Sequence, residues 1–208
     1  MPTVCTMSKK IDKAKKIFIK ASGILSMSSA IGQGIHRREL YKMCNEGILE
    51  VIGRGLYRLT EYPLPSDIDL VTVGKLVPKG VVSLISALSF YDLTTQIPRF
   101  IYIAIPNKSR KPIIHYPPVK FFWFSEKQYK NGIKTISIDG HSLKIYDMEK
   151  TLVDCWRFRN KIGLDVALEA LKTYFQLKKN KINKILEYAQ ICRVEKTLRP
   201  ILETIING

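Results

Sequence analysis

The stretch GIHRRELYKM (Gly34 to Met43) sets two adjacent arginines at what reads as the start of a helix, because Leu40, Met43 and Cys44 recur behind them at helical spacing. The first turn of a helix carries unpaired N–H groups and the positive end of the dipole, so it favours carboxylates. Arg37 and Arg38 stand there against that preference, which points to an anionic partner from outside the chain. A guanidinium pairs bidentately with O6 and N7 of guanine, or with a phosphate. Tyr41 lies on the same segment, and Lys42, one turn beyond Arg38, is placed to hold a phosphate. The competing reading of all four is a solvated basic face. Arg54 follows between Gly53 and Gly55, and Arg58 shortly after. At a glycine-flanked tip Arg54 is suited to a minor groove or to phosphates. Arg58 either does the same from the next strand or covers Tyr57.

Three other polar groups invite a chemical reading. Thr94, Thr95 and Gln96 precede Pro98 and fit a hydrogen-bonded turn. Asp154 and Arg157, at i and i+3, are expected to pair along one helix face. With Arg159, Asn160 and Lys161 they form the densest polar cluster of the C-terminal half, either structural or suited to a phosphate or an acidic partner. Asp147, Glu149 and Lys150 are the residue types of a metal-dependent nuclease. Such an enzyme spreads its acids and lysine over separate strands, whereas these fall together at one expected helix start, where acids cap. A non-enzymatic protein is therefore the first reading, and a nuclease or other nucleic-acid enzyme the alternative. His36, His115 and His141 are scattered without zinc spacing, and no glycine-rich phosphate loop or serine elbow occurs. No metal or cofactor is expected.

The elements that must carry these groups follow from periodicity and breaks. Ser8 to Ala21 reads as an amphipathic helix with Ile11, Ala14, Ile17 and Phe18 inward. Ser26 is the expected N-cap of a short second helix to Ile31, and a third runs from Arg37 to Glu46, with Gly47 at C′. Leu49 to Leu59 is a hairpin turning at Gly53-Arg54-Gly55. Three helices and a hairpin in this order give a winged helix-turn-helix over 1–62. The prolines of EYPLPSD (Glu61 to Asp67) mark the boundary to a second domain over 66–208. There Ser66 with Asp69 suggests a cap for a helix to Leu76, and Val81 to Tyr91 suggests a buried helix or, failing that, a strand. Strands are expected at 100–105, 119–124, 134–138 and 142–146, the last two joined by Asp139-Gly140. Asp147 would cap a helical region with segments 148–159, 165–178, 182–192 and 195–206. The fold class is α+β: a small antiparallel or mixed sheet with a helical C-terminal part behind the winged helix.

The formal charge is +16, with excesses of +6, +5 and +5 over 1–62, 63–150 and 151–208. Such basicity favours nucleic acid over an anionic membrane, but its even spread does not choose the binding region. Cys5, Cys44, Cys155 and Cys192 are far apart, as suits free thiols in a reducing compartment. With no signal-peptide order and no long apolar run, a cytoplasmic protein is expected.

GIHRRELYKMCNEGILEVIGRGLYRL, SLISALSFYDLTTQIP, DCWRFRNKIGLDVALEAL and YAQICRVEKTLRPIL together resemble the AbiEi family of antitoxins from bacterial type IV toxin–antitoxin, or abortive-infection, systems. The resemblance runs from about Lys10 to Leu202. It implies an N-terminal winged-helix DNA-binding domain and a C-terminal antitoxin domain. It also implies repression of the protein's own operon through operator DNA, and neutralisation of a nucleotidyltransferase-like toxin without a stable complex, in phage defence. On this resemblance Thr94, Thr95 and Gln96 become an antitoxin-domain motif. One departure is His36, where the family often has serine, a better N-cap. Glu39 remains in reach of the cap's N–H, and His36 is left between a weak cap and a DNA contact.

Overall fold

The computed structural model describes residues 4–177 and 180–207, with side chains from Lys9 onward. The Cys5 side chain and the Lys178 end of one expected helix lie outside them. Two compact units emerge. The first comprises the described residues to Pro78, with 113–117 and 137–143; the second comprises 79–112, 118–136 and the chain from Lys144.

In the first unit, α1 (Val4–Lys20) buries Ala14 and Phe18 fully and Ile11 and Ile17 in part, the stripe its spacing predicts. Gly23 then turns the chain into β1 (Ile24–Ser26), a strand too short to announce itself in the sequence. Ser26 caps α2 (Met27–Gly32), its hydroxyl accepting the Ser29 N–H at 3.1 Å. Next, α3 (Arg37–Asn45) buries Leu40 and Met43 and gives way at Gly47 (φ +71°). The hairpin follows as β2 (Leu49–Gly53) and β3 (Leu56–Leu59), with a register shift between Val51 and Gly53. The sheet order is β1-β3-β2, with Ile24 opposite Arg58 and Ser26 opposite Leu56. Phe18, Leu40, Met43 and Leu59 lie at the centre of this core. The element order matches the expected winged helix-turn-helix, with one strand added.

This unit runs past the proline-rich stretch expected to bound it. The helix α4 (Ile68–Leu76) is capped by Asp67, whose Oδ1 accepts the Leu70 N–H at 2.8 Å, and not by Ser66. Ser66 instead gives its N–H and its hydroxyl to Asp139 Oδ2 at 2.7 and 2.8 Å. That capture, and Leu76 lying close over Gly53, hold 63–78 in the first unit, where the expected limits assigned 66 onward to the second.

The second unit contains β4 (Val81–Val82), α5 (Leu84–Phe90), β5 (Ile101–Pro106), β6 (Val119–Phe124) and α6 (Glu126–Lys130). The hairpin of β7 (Ile133–Ile138) and β8 (His141–Tyr146), whose tip 137–143 counts with the first unit, supplies the last two strands of a mixed sheet of order β6-β5-β4-β8-β7. Positive φ at both Asp139 and Gly140 gives the turn expected between them. The segment 81–91 is not one helix. Val81 and Val82 pair antiparallel with Ala104 and Ile103, and Val82 pairs parallel with Ile145, so the helix starts only at Leu84. Two adjacent β-branched residues with partners on both sides favour the ladder. Then come α7 (Met148–Arg157), α8 (Arg159–Ile162), α9 (Leu164–Gln176), α10 (Ile182–Cys192) and α11 (Glu195–Asn207). They cover a core that includes Tyr146, Trp156, Leu171, Tyr174 and Leu198.

Gly23 offers a sharp test of the first core. Its φ is +85°, and an added Cβ would come within 2.6 Å of the Tyr62 ring. Gly47 has a similar φ of +71° with open space around it. Gly47→Ala is expected to cost about 1–2 kcal/mol from φ alone. Gly23→Ala should cost more, because Tyr62 must also move. Urea midpoints measure both, and an equal or smaller loss at Gly23 contradicts this packing.

Candidate nucleic-acid interface

The interface is built on the start of α3 and the turn between β2 and β3. His36 is the N-cap, extended at φ −72° and ψ 147°. Its N–H donates to Glu39 Oε2 at 3.1 Å, so the carboxylate three residues on reaches back to the cap as its spacing predicts. Glu39 also stands 3.7 Å from Lys10 on α1. This one carboxylate in the first turn offsets part of the cost of placing Arg37 and Arg38 there. Both arginines are exposed, and among the described residues neither has a hydrogen-bond or ion-pair partner. Tyr41 is half exposed one turn along. Lys42, expected to hold a phosphate, lies 3.4 Å from Glu46 on its own helix.

Arg54 is exposed at the hairpin turn. The turn is fixed from behind, because the Met27 N–H donates to the Gly55 carbonyl at 2.7 Å. Arg37 and Arg54 consequently line one cleft of about 690 Å³, shared with Ser28 and Ser29 of α2 and Lys75 of α4. Lys75 was not among the residues expected here. Its position depends on α4 returning past the hairpin, which no local spacing signals. Arg58 is a correction. It is buried in the central strand, its Nε donating to Glu50 Oε1 and its Nη1 to the Tyr62 carbonyl at 2.7 Å. With those partners it holds the sheet together and is not presented to DNA.

Residues 12–60 match the family described as transcriptional regulator, AbiEi antitoxin. That segment is similar to the regulators of this family, and the rest of the chain lies outside the match. The match takes in about the second half of α1, all of α2 and α3 and the whole hairpin, and it ends before α4. No curated protein matches the chain. No described helix is long and apolar enough to cross a membrane.

Beyond the matched segment, the polar groups singled out in the second unit are tied to their own framework. Thr94 Oγ1 donates to Glu169 Oε2 at 3.0 Å, while the Thr95 N–H and hydroxyl both meet Glu169 Oε1 at 2.8 Å. The Gln96 N–H returns to Thr94 Oγ1 at 3.2 Å. The three residues thus make a turn anchored on α9. Asp154 does not pair with Arg157 as expected. It is fully buried and pairs with Lys150, one turn earlier, at 2.6 Å through Oδ1. Helical geometry brings i and i+4 together as readily as i and i+3, and Lys150 is inside the core between the Phe124 and Tyr146 rings. Arg157 turns to Gln128 at 2.9 Å and to the Phe124 and Phe158 rings. Arg159 reaches the Trp156 carbonyl and ring, Lys161 lies over Phe158, and Asn160 is exposed.

The acids that suggested a nuclease are also occupied. Asp147 caps α7 through the Lys150 N–H at 2.8 Å, and its other oxygen meets Lys184 at 2.8 Å and Tyr188 at 2.9 Å. Glu149 accepts from Tyr174 at 2.9 Å and lies 3.4 Å from Lys184. A metal at this place would have to displace Lys184. Among the described residues no cluster of His, Cys, Asp or Glu stands ready to hold one. Cys44, Cys155 and Cys192 are free thiols; burial raises all three pKa values, Cys192 to about 12.

Two outcomes are expected. Asp154→Ala leaves the Lys150 ammonium buried without its partner and should cost about 3–5 kcal/mol in urea unfolding, much of it recovered by Lys150→Met with Asp154→Leu. The Thr95 N–H, followed by the threonine hydroxyls, holds Glu169 below its ordinary pKa of 4.5. Stability from that carboxylate is therefore present above pH 4.5 and is lost as pH falls through the lower folded value. Glu169→Gln should be less stable than wild type at neutral pH, and the gap should close in acid; a gap that is constant with pH contradicts this reading.

Proposed function

We propose that this chain is a DNA-binding antitoxin that represses its own operon. In this reading the first unit acts as a winged helix: α3 enters the major groove with Arg37 and Arg38 toward base edges, and Arg54 follows the backbone or a minor groove. Tyr41, exposed one turn along α3, and His36, the exposed N-cap, extend the same surface. The observation that carries the reading is the pair of exposed, unpartnered arginines at the start of α3, within the segment of AbiEi type, of which Arg37 lines the same cleft as the hairpin arginine. The second unit, with the anchored turn at Thr94 to Gln96 and the helices around Asp154, carries antitoxicity. It opposes a nucleotidyltransferase-like toxin of a type IV system, without a lasting complex, in the cytoplasm of a bacterium defending itself against phage.

The duplex upstream of the chain's own gene tests the first half in a gel shift with excess competitor. A preference for that duplex over random sequence is expected, and no preference removes the repressor reading. Arg37→Ala or Arg38→Ala should cost about 1–3 kcal/mol of discrimination at a guanine position. The neighbouring gene tests the second half: if it encodes a toxin whose growth arrest the full chain does not relieve, the antitoxin reading falls.

A further inference from the structure

The cleft beside the hairpin turn has a composition that the AbiEi-type segment alone does not explain. Arg37, Arg54 and Lys75 line it, and no carboxylate does. Among the described residues none of the three cations has a hydrogen-bond or ion-pair partner. Lys75 is the unusual member. It comes from the last turn of α4, beyond the matched segment, and burial lowers its pKa. A half-buried ammonium that has lost water without gaining a counter-ion is unfavourable unless an anion completes it. Ser28 and Ser29, both exposed, bring two hydroxyls to the same wall. They lie 2.9 and 2.8 Å from the Ser26 hydroxyl, and either can rotate to donate to an incoming oxygen.

We infer that this cleft is a cradle for the DNA backbone, in which Lys75 and the Ser28 and Ser29 hydroxyls hold phosphates while Arg37 and Arg54 engage the same duplex. The inference rests on the DNA-binding reading above and extends its surface to α4. Charge chooses the occupant: three cations and two hydroxyl donors with no acid match a run of phosphates. Position supports it, since two of the cations are those proposed to meet DNA, and the first helix of a helix-turn-helix crosses the backbone. A contact of this kind adds affinity and register but no sequence preference.

The test is binding of the full chain to the duplex upstream of its gene and to a random duplex of equal length, across a range of salt concentrations. Each phosphate neutralised contributes about 0.9 to the slope of log affinity against log salt. Lys75→Ala should lower that slope by about that amount and weaken both duplexes by the same factor; Lys75→Gln should repeat the result and Lys75→Arg should restore binding. Ser28→Ala with Ser29→Ala should weaken both duplexes without changing the slope, because hydroxyls displace no counter-ion. If wild type binds DNA and the Lys75 variants match it in slope and affinity, the cradle is wrong and the DNA reading stands. If wild type binds neither duplex, both are wrong.

Discussion

The hydrogen bond from the Met27 N–H to the Gly55 carbonyl continues the pairing of β1 with β3 and closes the hairpin turn onto the start of α2. The proposed interface depends on this constraint. A two-stranded hairpin by itself is marginal in water. Three residues of β1 make it a sheet, and the turn that carries Arg54 becomes part of the framework that also sets the start of α3. Arg37 and Arg54 can then share one cleft although they belong to different elements. The same pairing makes β3 the central strand, which is why Arg58 is enclosed and bonded to Glu50 and Tyr62 while Arg54 stays outside.

Charge in this protein is sorted by where the few carboxylates are. With 34 lysines and arginines against 18 acids, the cations cannot all pair one-to-one with acids, and composition does not say which do. The fold does. Lys150, Arg58 and Arg157 are taken up by buried acids, carbonyls and rings, and Lys184 closes Asp147 and Glu149. At the start of α3, Glu39 serves the cap and Lys10, which leaves Arg37 and Arg38 free. An unpaired cation on a surface with no acid beside it is a better sign of a polyanion site than net charge, because it marks where a phosphate meets no competitor.

Much of the local structure was legible from the sequence because the signals were local. The stripe of α1, the Ser26 cap, the Gly47 stop, the Gly-Arg-Gly turn and the Asp139-Gly140 turn each rest on neighbouring residues. What escaped depends on distant partners. Three residues cannot reveal that Ile24 to Ser26 pair with β3, nor can two valines reveal a central strand. Ser66 looked like a cap until Asp139, far along the chain, took both its donors. At the candidate site, α3 and the Arg54 turn were readable from charge and glycine placement. The burial of Arg58, the Glu46 partner of Lys42, the Lys150 partner of Asp154 and the arrival of Lys75 were not, since each is decided by packing.

The central claim is that Arg37 and Arg38 oppose the helix dipole in the free protein and are matched only by DNA. Thermal unfolding of wild type and of the Arg37→Gln, Arg38→Gln double variant, each with and without the duplex upstream of the gene, tests it most directly. Removing both charges relieves a few tenths to about 1 kcal/mol for each, so the variant should melt above wild type without DNA. Bound DNA should raise the melting temperature of wild type and leave that of the variant nearly unchanged. A variant that melts below wild type alone, yet gains as much from DNA, would contradict the account.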